Sequence, residues 1–375
     1  MSKNSNLHGA KRAKQDEFYT QWTDIEKEMN SYLDYNSDVF RDKVILLPCD
    51  DPEWSNFTKF FALRFQDYGI KKLISTSYAP RSNMEGQFYD PEPTLFNFEQ
   101  YDEIKDYERG KIFVLDGTDK NNDGRVNIDD LTWNYLEGDG DFRSDEIKAL
   151  RDEADMVITN PPFSLFREFM AWLVEGDLQF SIIGNMNAIT YKEVFPLVKE
   201  NKLWYGSTIH SGDREFRVPD SYPLDAAGFR TDADGNNYIK VKGVRWFSNI
   251  QHGRRHEELP LMTKKDNLRY NKRIMGSPTS YKTYDNYDAI EVPITAGIPS
   301  DYEGVMGVPI SFLDKYNPEQ FEILGSRRWG KSQELLDVYT GAVVPPENDK
   351  KTLIDGKETY DRIFIKHKTQ SDQEK

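Results

Sequence analysis

Short, nearly continuous apolar runs alternate with segments of helical periodicity along residues 16–250, and this alternation restricts the fold more than any other feature. Strands buried on both faces read as such runs, whereas amphipathic helices carry apolar residues three or four apart. The alternation therefore predicts an α/β fold, a parallel sheet with helices on both faces. The predicted strands are Val44–Leu47, Leu73–Thr76, Ile112–Leu115, Met156–Thr159, Phe180–Gly184, Leu203–Gly206 and Val244–Phe247. The predicted helices are Asp16–Tyr32, Phe57–Phe65, Phe166–Val174 and Thr190–Glu200.

Polar residues stand where predicted strands end. Asp50, Ser75, Asn160 and Asn185 each close or follow an apolar run. Ligands of open parallel sheets bind at the carboxyl ends of the strands, so we expect a site along this edge. Cys49 lies at the same edge, and we expect it to be a small buried core residue rather than a nucleophile.

The formal net charge of -15 argues against a nucleic-acid partner, because phosphate contacts need clustered Lys and Arg. Net charge is a whole-molecule sum, however, and a binding face is local. The basic residues do form clusters, although ordinary solvated surface is the simplest interpretation of each. The clusters are Lys11, Arg12 and Lys14; Arg254 and Arg255; Lys264, Lys265, Arg269, Lys272 and Arg273; and Arg327, Arg328 and Lys331.

Composition and pattern also predict the compartment and the domains. Cys49 is the only cysteine, which excludes an intramolecular disulfide and fits a reducing compartment. Residues 1–15 form a polar, basic arm without the apolar segment of a signal peptide, and no apolar run is long enough to cross a membrane. We therefore expect a cytoplasmic protein without a membrane partner. The main domain is predicted at 16–250, a loop-rich second region at 251–365, and a disordered tail at 366–375.

The tetrapeptide Asn160-Pro161-Pro162-Phe163 follows the predicted strand Met156–Thr159 directly. The prolines lack N–H groups and fix φ, so the loop leaves the sheet and is stiff. The side-chain oxygen of Asn160 and the carbonyl of Pro161 are suited to accept hydrogen bonds from a planar amine, whose lone pair then attacks a methyl donor. Phe163 offers a ring for stacking with a flipped base. The loop therefore indicates methylation of an amino group without a strong base or a metal.

The tetrapeptide alone does not choose the amine. Adenine in DNA, a base in RNA and the side-chain amide of a protein glutamine all suit this chemistry. The alternative without function is a proline-rich turn after a strand, which the strand context makes less favoured.

Further blocks of residues carry information beyond the tetrapeptide. They are Asp16–Gln21, Cys49–Pro52, Ser55–Phe57, Lys71–Ser75, Gly138–Ser144, Thr159–Glu168, Ile189–Phe195, Tyr284–Ile290 and Gly304–Ile310. In these blocks, which span most of residues 16–325, the sequence resembles the EcoRI-type family of adenine-specific DNA methyltransferases.

The resemblance implies a Rossmann-like sheet that binds S-adenosylmethionine, with a target-recognition region at 251–365. It implies methylation of adenine N6 in a specific double-stranded DNA sequence after base flipping, and a cognate restriction endonuclease as a partner. By the same similarity, the catalytic residues are Asn160, Pro161, Pro162 and Phe163. The implied cofactor-binding residues are Phe18, Tyr19, Thr20, Asp50, Asp51, Pro52, Asp141 and Phe142.

The first cofactor loop departs from the wider methyltransferase pattern. Asp51-Pro52-Glu53-Trp54-Ser55 stands where a glycine-rich loop usually follows the first strand, and no acidic residue closes the second strand. A polar turn or a helix cap is therefore the alternative interpretation of Asp50 and Asp51.

An insertion at 108–137 contains a loop with the residue spacing of a calcium site. Gly124 stands at the sharp turn, and Leu131–Leu136 is the predicted exiting helix. No entering helix precedes the loop, so a polar hairpin that folds without metal is the alternative. The candidate ligands, in the order of the pattern, are Asp119, Asn121, Asp123, the carbonyl of Arg125, and Asp130.

Three other residues have two interpretations each. Asn185 and Asn187 either line a pocket for the target base or form a turn. Trp329, with the basic residues around it, either contacts DNA or packs on the surface. A protein that keeps this fold but only binds DNA or calcium is the alternative from a different functional class.

Overall fold

A computed structural model describes residues 20–50, 55–79, 102–210, 212–218, 228–274, 281–329, 332–341 and 352–368. Four residues predicted to bind the cofactor, Phe18, Tyr19, Asp51 and Pro52, lie outside these ranges, as does the arm at 1–15. The chain divides into two compact units. The first holds the described residues of Met1–Ala188 and Gly206–His252, and the second those of Ile189–Tyr205 and Gly253–Lys375.

The helices are short, and the strands follow the predicted order. The helices are α1 Trp22–Tyr35, α2 Asn56–Leu63, α3 Glu103–Glu108, α4 Asp145–Glu153, α5 Phe166–Glu175, α6 Phe195–Lys199, α7 Lys264–Tyr270 and α8 Gln333–Asp337. The strands are β1 Val44–Leu47, β2 Lys72–Thr76, β3 Lys111–Leu115, β4 Thr132–Tyr135, β5 Met156–Thr159, β6 Gln179–Asn185, β7 Trp204–Tyr205, β8 Asp213–Val218, β9 Arg230–Thr231, β10 Asn237–Lys242, β11 Val244–Ser248, β12 Ala289–Glu291, β13 Val305–Val308, β14 Phe321–Gly325, β15 Leu353–Ile354, β16 Lys357–Glu358 and β17 Ile363–His367. No helix in the described ranges is long and apolar enough to cross a membrane.

Seven strands of the first unit lie in one sheet in the order β4-β3-β2-β1-β5-β6-β11. The central strands β2, β1, β5 and β6 are parallel. The prediction of a wholly parallel sheet is wrong at its flanks, because β3, β4 and β11 run antiparallel to their neighbours. The link between β3 and β4 holds no α-helix that could serve as a crossover, which favours the antiparallel pairing of these two strands.

Helices cover both faces of this sheet, as adjacent residues of β11 demonstrate. Trp246 contacts Phe57 of α2 at a centroid distance of 6.0 Å, and Phe247 contacts Phe166 of α5 at 5.0 Å. Neighbouring residues of a strand point to opposite faces, so α2 and α5 lie on opposite sides. Ser55 caps α2 by accepting the N–H of Phe57, which fixes where that helix begins.

A small three-stranded sheet, β8-β10-β9, also belongs to the first unit. Its strands are antiparallel, and alternate residues of β8 and β10 are buried. Phe216, Val218, Ile239 and Val241 join the main apolar cluster with α1 and α2. This sheet therefore shares the core of the first unit.

Three local predictions are wrong. The predicted helix Thr190–Glu200 is a short 3-10 helix at Met186–Thr190 followed by α6. The predicted exiting helix Leu131–Leu136 is instead strand β4, whose alternating β-branched and aromatic residues suit a sheet. Cys49 is partly exposed and has a φ of 68°, because the chain turns sharply as it leaves β1.

The second unit contains a four-stranded sheet, β12-β13-β17-β14, which the loop-rich prediction missed. Its apolar cluster combines aliphatic and aromatic side chains, with Tyr287 packed on Phe364 at 4.7 Å. Arg362 and Glu291 form an ion pair in which both side chains are 11% exposed. β17 includes Lys366 and His367, so the predicted disordered tail begins too early, and residues 369–375 lie outside the described ranges.

Candidate active site

The tetrapeptide Asn160–Phe163 leaves the sheet at the carboxyl end of β5. Asn160 is half-buried and Pro161 is buried, while Pro162 keeps an extended backbone with φ -54° and ψ 121°. A 3-10 turn at Phe163–Leu165 then leads directly into α5, and the N–H of Leu165 donates to the carbonyl of Pro162 at 3.0 Å. The loop is thus short and fixed at both ends.

Phe163 is only 9% exposed and belongs to the main apolar cluster. The sequence predicts that this ring stacks with a flipped base. The ring also anchors the loop to the core and leaves a small part of its surface accessible, and its stacking with a base stays a prediction.

Thr159 links the catalytic loop to the loop after β1. Its hydroxyl lies 2.6 Å from the carbonyl oxygen of Pro48 and 2.5 Å from Oδ2 of Asp50. Thr159 is fully buried and immediately precedes Asn160, and Asp50 is 5% exposed. A buried hydroxyl held between two oxygen groups orients the backbone at this point, so the start of the tetrapeptide is fixed relative to the loop after β1.

Asp50 is the centre of a buried polar network. The hydroxyl of Ser55 donates to Oδ1 of Asp50 at 2.6 Å, and the N–H of Asp50 donates to the carbonyl of Thr76 at 2.8 Å. The carbonyl of Asp50 accepts from the hydroxyls of Thr58 and Ser75. Most of the hydrogen bonds of Asp50 therefore hold the loop after β1 against its neighbours. This agrees with the alternative interpretation of Asp50 as part of a polar turn.

Two buried hydroxyl oxygens near this network fit a polar ligand. Within the described part of the chain, Oγ1 of Thr20 and Oγ1 of Thr76 have no hydrogen-bond partner. The carbonyl of Thr20 accepts from Asn56 at the start of α2, and the carbonyl of Thr76 accepts from Asp50. A buried polar atom without a partner is costly, so a ligand with donors and acceptors suits this edge.

The segment from Gly138 to Asp141 lies against the chain that continues β2. The N–H of Ala79 donates to the carbonyl of Asp139, and Gly110 donates to Gly138. Gly140 has a φ of 86°, and a Cβ there would lie 2.2 Å from the carbonyl oxygen of Ser77. Only glycine allows this approach, which brings Asp141 to the carboxyl edge of the sheet.

Asp141 is paired with Arg143 through two short contacts, with Nη2 2.5 Å from Oδ2 and Nε 2.9 Å from Oδ1. Burial raises the pKa of Asp141, but hydrogen bonds from the side chain and backbone of Arg143 outweigh it and leave the pKa below its ordinary value. Burial also raises the pKa of Tyr78, and the charges of Cys49 and Asp141 raise it further.

Phe142 does not present its ring at the site. It is 1% exposed and packs edge-on against Phe169 and Trp172 at centroid distances of 5.0 and 5.9 Å. The ring holds the segment after Asp141 against α5, and the binding of a cofactor at Phe142 stays a prediction.

In the calcium-like loop, the acidic side chains accept hydrogen bonds from backbone N–H groups of the same loop. The carboxylate of Asp130 accepts the backbone N–H groups of Lys120, Asn121 and Asn127, and that of Asp119 accepts those of Asp123 and Gly124. Hydrogen bonding to Asn127 lowers the pKa of Asp130 despite some desolvation. Among the described residues, no group of three or more His, Cys, Asp or Glu is placed to hold a metal ion. Calcium binding is therefore not supported.

The remaining sequence candidates, Asn185, Asn187 and Trp329, form structural contacts. The side-chain amide of Asn185 donates to the carbonyl of Lys242 and its oxygen accepts the N–H of Asn187, so Asn185 fixes a turn. In the second unit, Trp329 packs against Phe195 at 5.9 Å. Arg328 pairs with Asp361 at 2.6 Å and Arg327 is buried, while Lys331 lies outside the described ranges.

Sequence reasoning missed Glu28, a fully buried carboxylate on the apolar face of α1. It accepts the hydroxyl of Tyr32 at 2.8 Å and the N–H groups of Ser207 and Thr208 at 2.8 and 2.9 Å. Burial raises its pKa, and these hydrogen bonds oppose the rise. The available signal was a glutamate between the helix-spaced apolar residues Ile25 and Met29, where an unpaired charge would be costly.

Comparisons with known proteins cover nearly the whole chain. The family described as "Adenine-specific methyltransferase EcoRI" matches residues 6–368. The type II methyltransferase M.EcoRI of Escherichia coli is 42% identical over 365 residues, which cover 97% of this chain and 97% of the relative.

Two relatives from mycoplasmas are more distant. The type II methyltransferase M.MpnI of Mycoplasma pneumoniae is 33% identical over 363 residues, covering 96% of this chain and 97% of the relative. The type II methyltransferase M.MgeORF184P of Mycoplasma genitalium is 33% identical over 361 residues, covering 95% and 97%. No solved structure matches significantly.

Proposed function

This chain belongs to the EcoRI family of adenine-specific methyltransferases, and we propose from that premise that it transfers a methyl group from S-adenosylmethionine to N6 of adenine in a specific double-stranded DNA sequence. The observation that carries the proposal is the short, rigid tetrapeptide Asn160–Phe163 at the carboxyl end of β5. Family membership selects adenine from the amines that suit this loop.

The proposed chemistry at the loop is hydrogen bonding without a strong base. The adenine N6 amine is a poor nucleophile because its lone pair is delocalised into the ring. The side-chain oxygen of Asn160 and the carbonyl of Pro161 accept its two hydrogens, which localises the lone pair for attack. Preorganised acceptors need no rearrangement during the reaction, and the prolines keep them in place.

The target base reaches this loop by leaving the duplex, since an amine inside the helix is not accessible to a loop at a sheet edge. Phe163 contributes mainly by anchoring the loop, because most of its ring is in the core. Pro162 stiffens the connection to α5. The recognition of sequence is assigned to the region after residue 250.

The cofactor site is proposed at the ends of β1 and β2. S-adenosylmethionine supplies the methyl group there. Thr20 and Thr76 offer buried hydroxyls, and Asp141 offers a carboxylate at the same edge. Asp50 fixes the loop after β1 through its hydrogen bonds with Ser55 and Thr159. Phe18, Tyr19, Asp51 and Pro52 complete the proposed site by family similarity.

The biological setting is also a proposal. The three relatives are named type II methyltransferases. We place the chain in the cytoplasm, where it would protect DNA from a cognate restriction endonuclease with the same recognition sequence.

A substrate comparison tests the proposed function. The full chain is incubated with methyl-labelled S-adenosylmethionine and, separately, duplex DNA, RNA and a glutamine-containing protein extract. We expect label only in DNA, and nucleoside analysis should identify N6-methyladenine. Label in RNA or in protein glutamine, or a different DNA base as the product, would overturn the proposal.

A further inference from the structure

Of the basic clusters in the sequence, the one at α7 in the second unit differs from the others in what its side chains contact. Residues 263–274 contain five cationic side chains and a single carboxylate in a chain whose net charge is -15. Lys265, Arg269, Lys272 and Arg273 are all exposed. Within the described part of the chain, these four side chains make no ion pair.

In the other described clusters, three arginines are engaged in the fold. Arg255 is 4% exposed, stacks 3.6 Å over the ring of Trp204 and contacts Asn201. Arg328 is paired with Asp361, and Arg327 is 5% exposed. The α7 cluster is therefore the described basic cluster that remains available to an anionic partner.

The inner face of α7 explains why its outer face stays exposed. Asn267 is fully buried and donates to the carbonyl of Met262, while its side-chain oxygen accepts from Asn271. Thr263 caps the helix by accepting the N–H of Asp266, and its hydroxyl donates to the Asp266 carboxylate. The helix is thus fixed from one side.

The outer face presents charge with the spacing of a helix. Lys265 and Arg269 are four residues apart, which places them on one face about 6 Å apart along the axis, opposite Asn267. Lys272 and Arg273 follow the end of the helix and are exposed as well. Tyr270 is 59% exposed beside them, with the guanidinium of Arg269 5.0 Å from its ring.

From this arrangement we propose that the face formed by Lys265, Arg269, Lys272 and Arg273 is a docking surface for the phosphate backbone of duplex DNA. The proposal rests on the proposed function, which makes DNA the polyanion that the chain must bind. Flexible, unpaired cations on a fixed helix suit phosphates, since such contacts position a duplex without reading its sequence. Specificity and chemistry then depend on other residues.

The test is the salt dependence of DNA affinity. The double variant Lys265→Gln/Lys272→Gln removes two phosphate contacts without breaking an ion pair. The matched control is Lys27→Gln/Lys71→Gln, because these two lysines are also exposed and make no ion pair among the described residues. Equilibrium binding to a cognate and a non-cognate duplex is measured across a range of KCl concentrations.

We expect the α7 variant to bind both duplexes more weakly, and the slope of log K against log salt to become shallower by about 1 per substitution. At saturating DNA and cofactor, kcat should stay at the wild-type value. The control variant should keep the wild-type slope. A further variant, Arg269→Gln/Arg273→Gln, should produce a loss of similar size.

Failure of this proposal and failure of the proposed function are separable. If wild-type protein neither binds nor methylates DNA, the proposed function fails. If wild-type protein methylates DNA and both α7 variants keep its affinity and salt slope, the docking surface is overturned. Loss of affinity for the cognate duplex alone would also overturn it, because phosphate contacts act on every sequence.

Discussion

Two regions of the first unit carry predicted site residues, and their side chains behave differently. The tetrapeptide after β5 is short and rigid, and it stands where its sequence predicts. The segment from Asp116 to Arg143 matches ligand patterns at many positions, yet its acidic side chains accept hydrogen bonds from their own loop. Asp, Asn and Gly form turns with the same spacing that they have in ligand-binding loops. A pattern of acidic residues in a sequence is therefore weaker evidence for a ligand site than a stiff, proline-containing loop.

Apart from the loss of Asn160 itself, the largest effect on activity is expected in the first region, from the buried hydroxyl before the tetrapeptide. Thr159→Val removes the contacts to Pro48 and Asp50 while keeping the volume of the side chain. The free energy of unfolding should fall by about 1–3 kcal/mol, because a buried carboxylate loses a donor. A displaced loop should lower kcat by roughly 100-fold.

Thr159→Ser is the matched control, because it keeps the hydroxyl. Urea unfolding and steady-state methylation of a duplex would measure both quantities. A Thr159→Val protein with wild-type kcat would show that the two loops need no link, and the rigidity of the first region would then come from its prolines alone.

The next effect concerns the crowded glycine of the second region. Gly140→Ala should lower the free energy of unfolding by roughly 3 kcal/mol, since a Cβ would lie 2.2 Å from the carbonyl of Ser77 at a φ of 86°. Gly124→Ala has a similar φ of 83° but nothing within 4 Å, so about 1 kcal/mol is expected from backbone strain alone. Thermal or urea unfolding compares the two, and equal losses would contradict the role of close packing at Ser77.

A smaller effect is expected at Asp141, whose carboxylate both pairs with Arg143 and stands in the proposed cofactor site. Asp141→Asn should cost less than about 1 kcal/mol of stability, because Arg143 is half exposed. The KM for S-adenosylmethionine should rise about tenfold with little change in kcat, as expected for lost ground-state binding. Asp145→Asn, at a fully exposed carboxylate on α4, is the control.

The stability difference at Asp141 should depend on pH. Its pKa is lowered in the folded chain, so the ion pair stabilises the fold above the ordinary pKa of an aspartate and is lost as the pH falls through the folded value. The difference between wild type and Asp141→Asn should therefore shrink below about pH 4. A difference that grows on acidification would contradict the pairing.

The smallest expected effect is that of calcium. The carboxylate of Asp130 already accepts three backbone N–H groups, so calcium should produce neither binding heat nor a change in Tm. Isothermal calorimetry and thermal unfolding with and without a chelator would measure this. A calcium-dependent rise in Tm that Asp130→Asn removes would mean that the second region is a ligand site after all.

The strands of the main sheet were largely predictable, because a strand that is buried on both faces appears in the sequence as a continuous apolar run. The seven predicted strands are confirmed to within one residue at each end, and β1 and β5 match at both ends. The direction of β3, β4 and β11 was not predictable from the runs themselves. Direction depends on the connection, and the link between β3 and β4, which holds no α-helix, was a signal that the alternation masked.

Within the site, the tetrapeptide was predictable because its prolines act locally. Thr159 and Glu28 were not, since each works through residues distant in sequence. Thr159 contacts Asp50 across 109 positions, and Glu28 contacts Thr208 across 180. The packing of Phe142 was also not predictable, because its ring contacts Phe169, which lies 27 positions away in the sequence.

The central claim is that Asn160 and the loop it begins carry methyl transfer to adenine N6. The most direct measurement compares wild type and Asn160→Ala for labelled methyl transfer to duplex DNA, with cofactor affinity determined by calorimetry on the same samples. We predict that N6-methyladenine forms with wild type, and that Asn160→Ala loses this product while it still binds S-adenosylmethionine. Undiminished formation of N6-methyladenine by Asn160→Ala would contradict the claim.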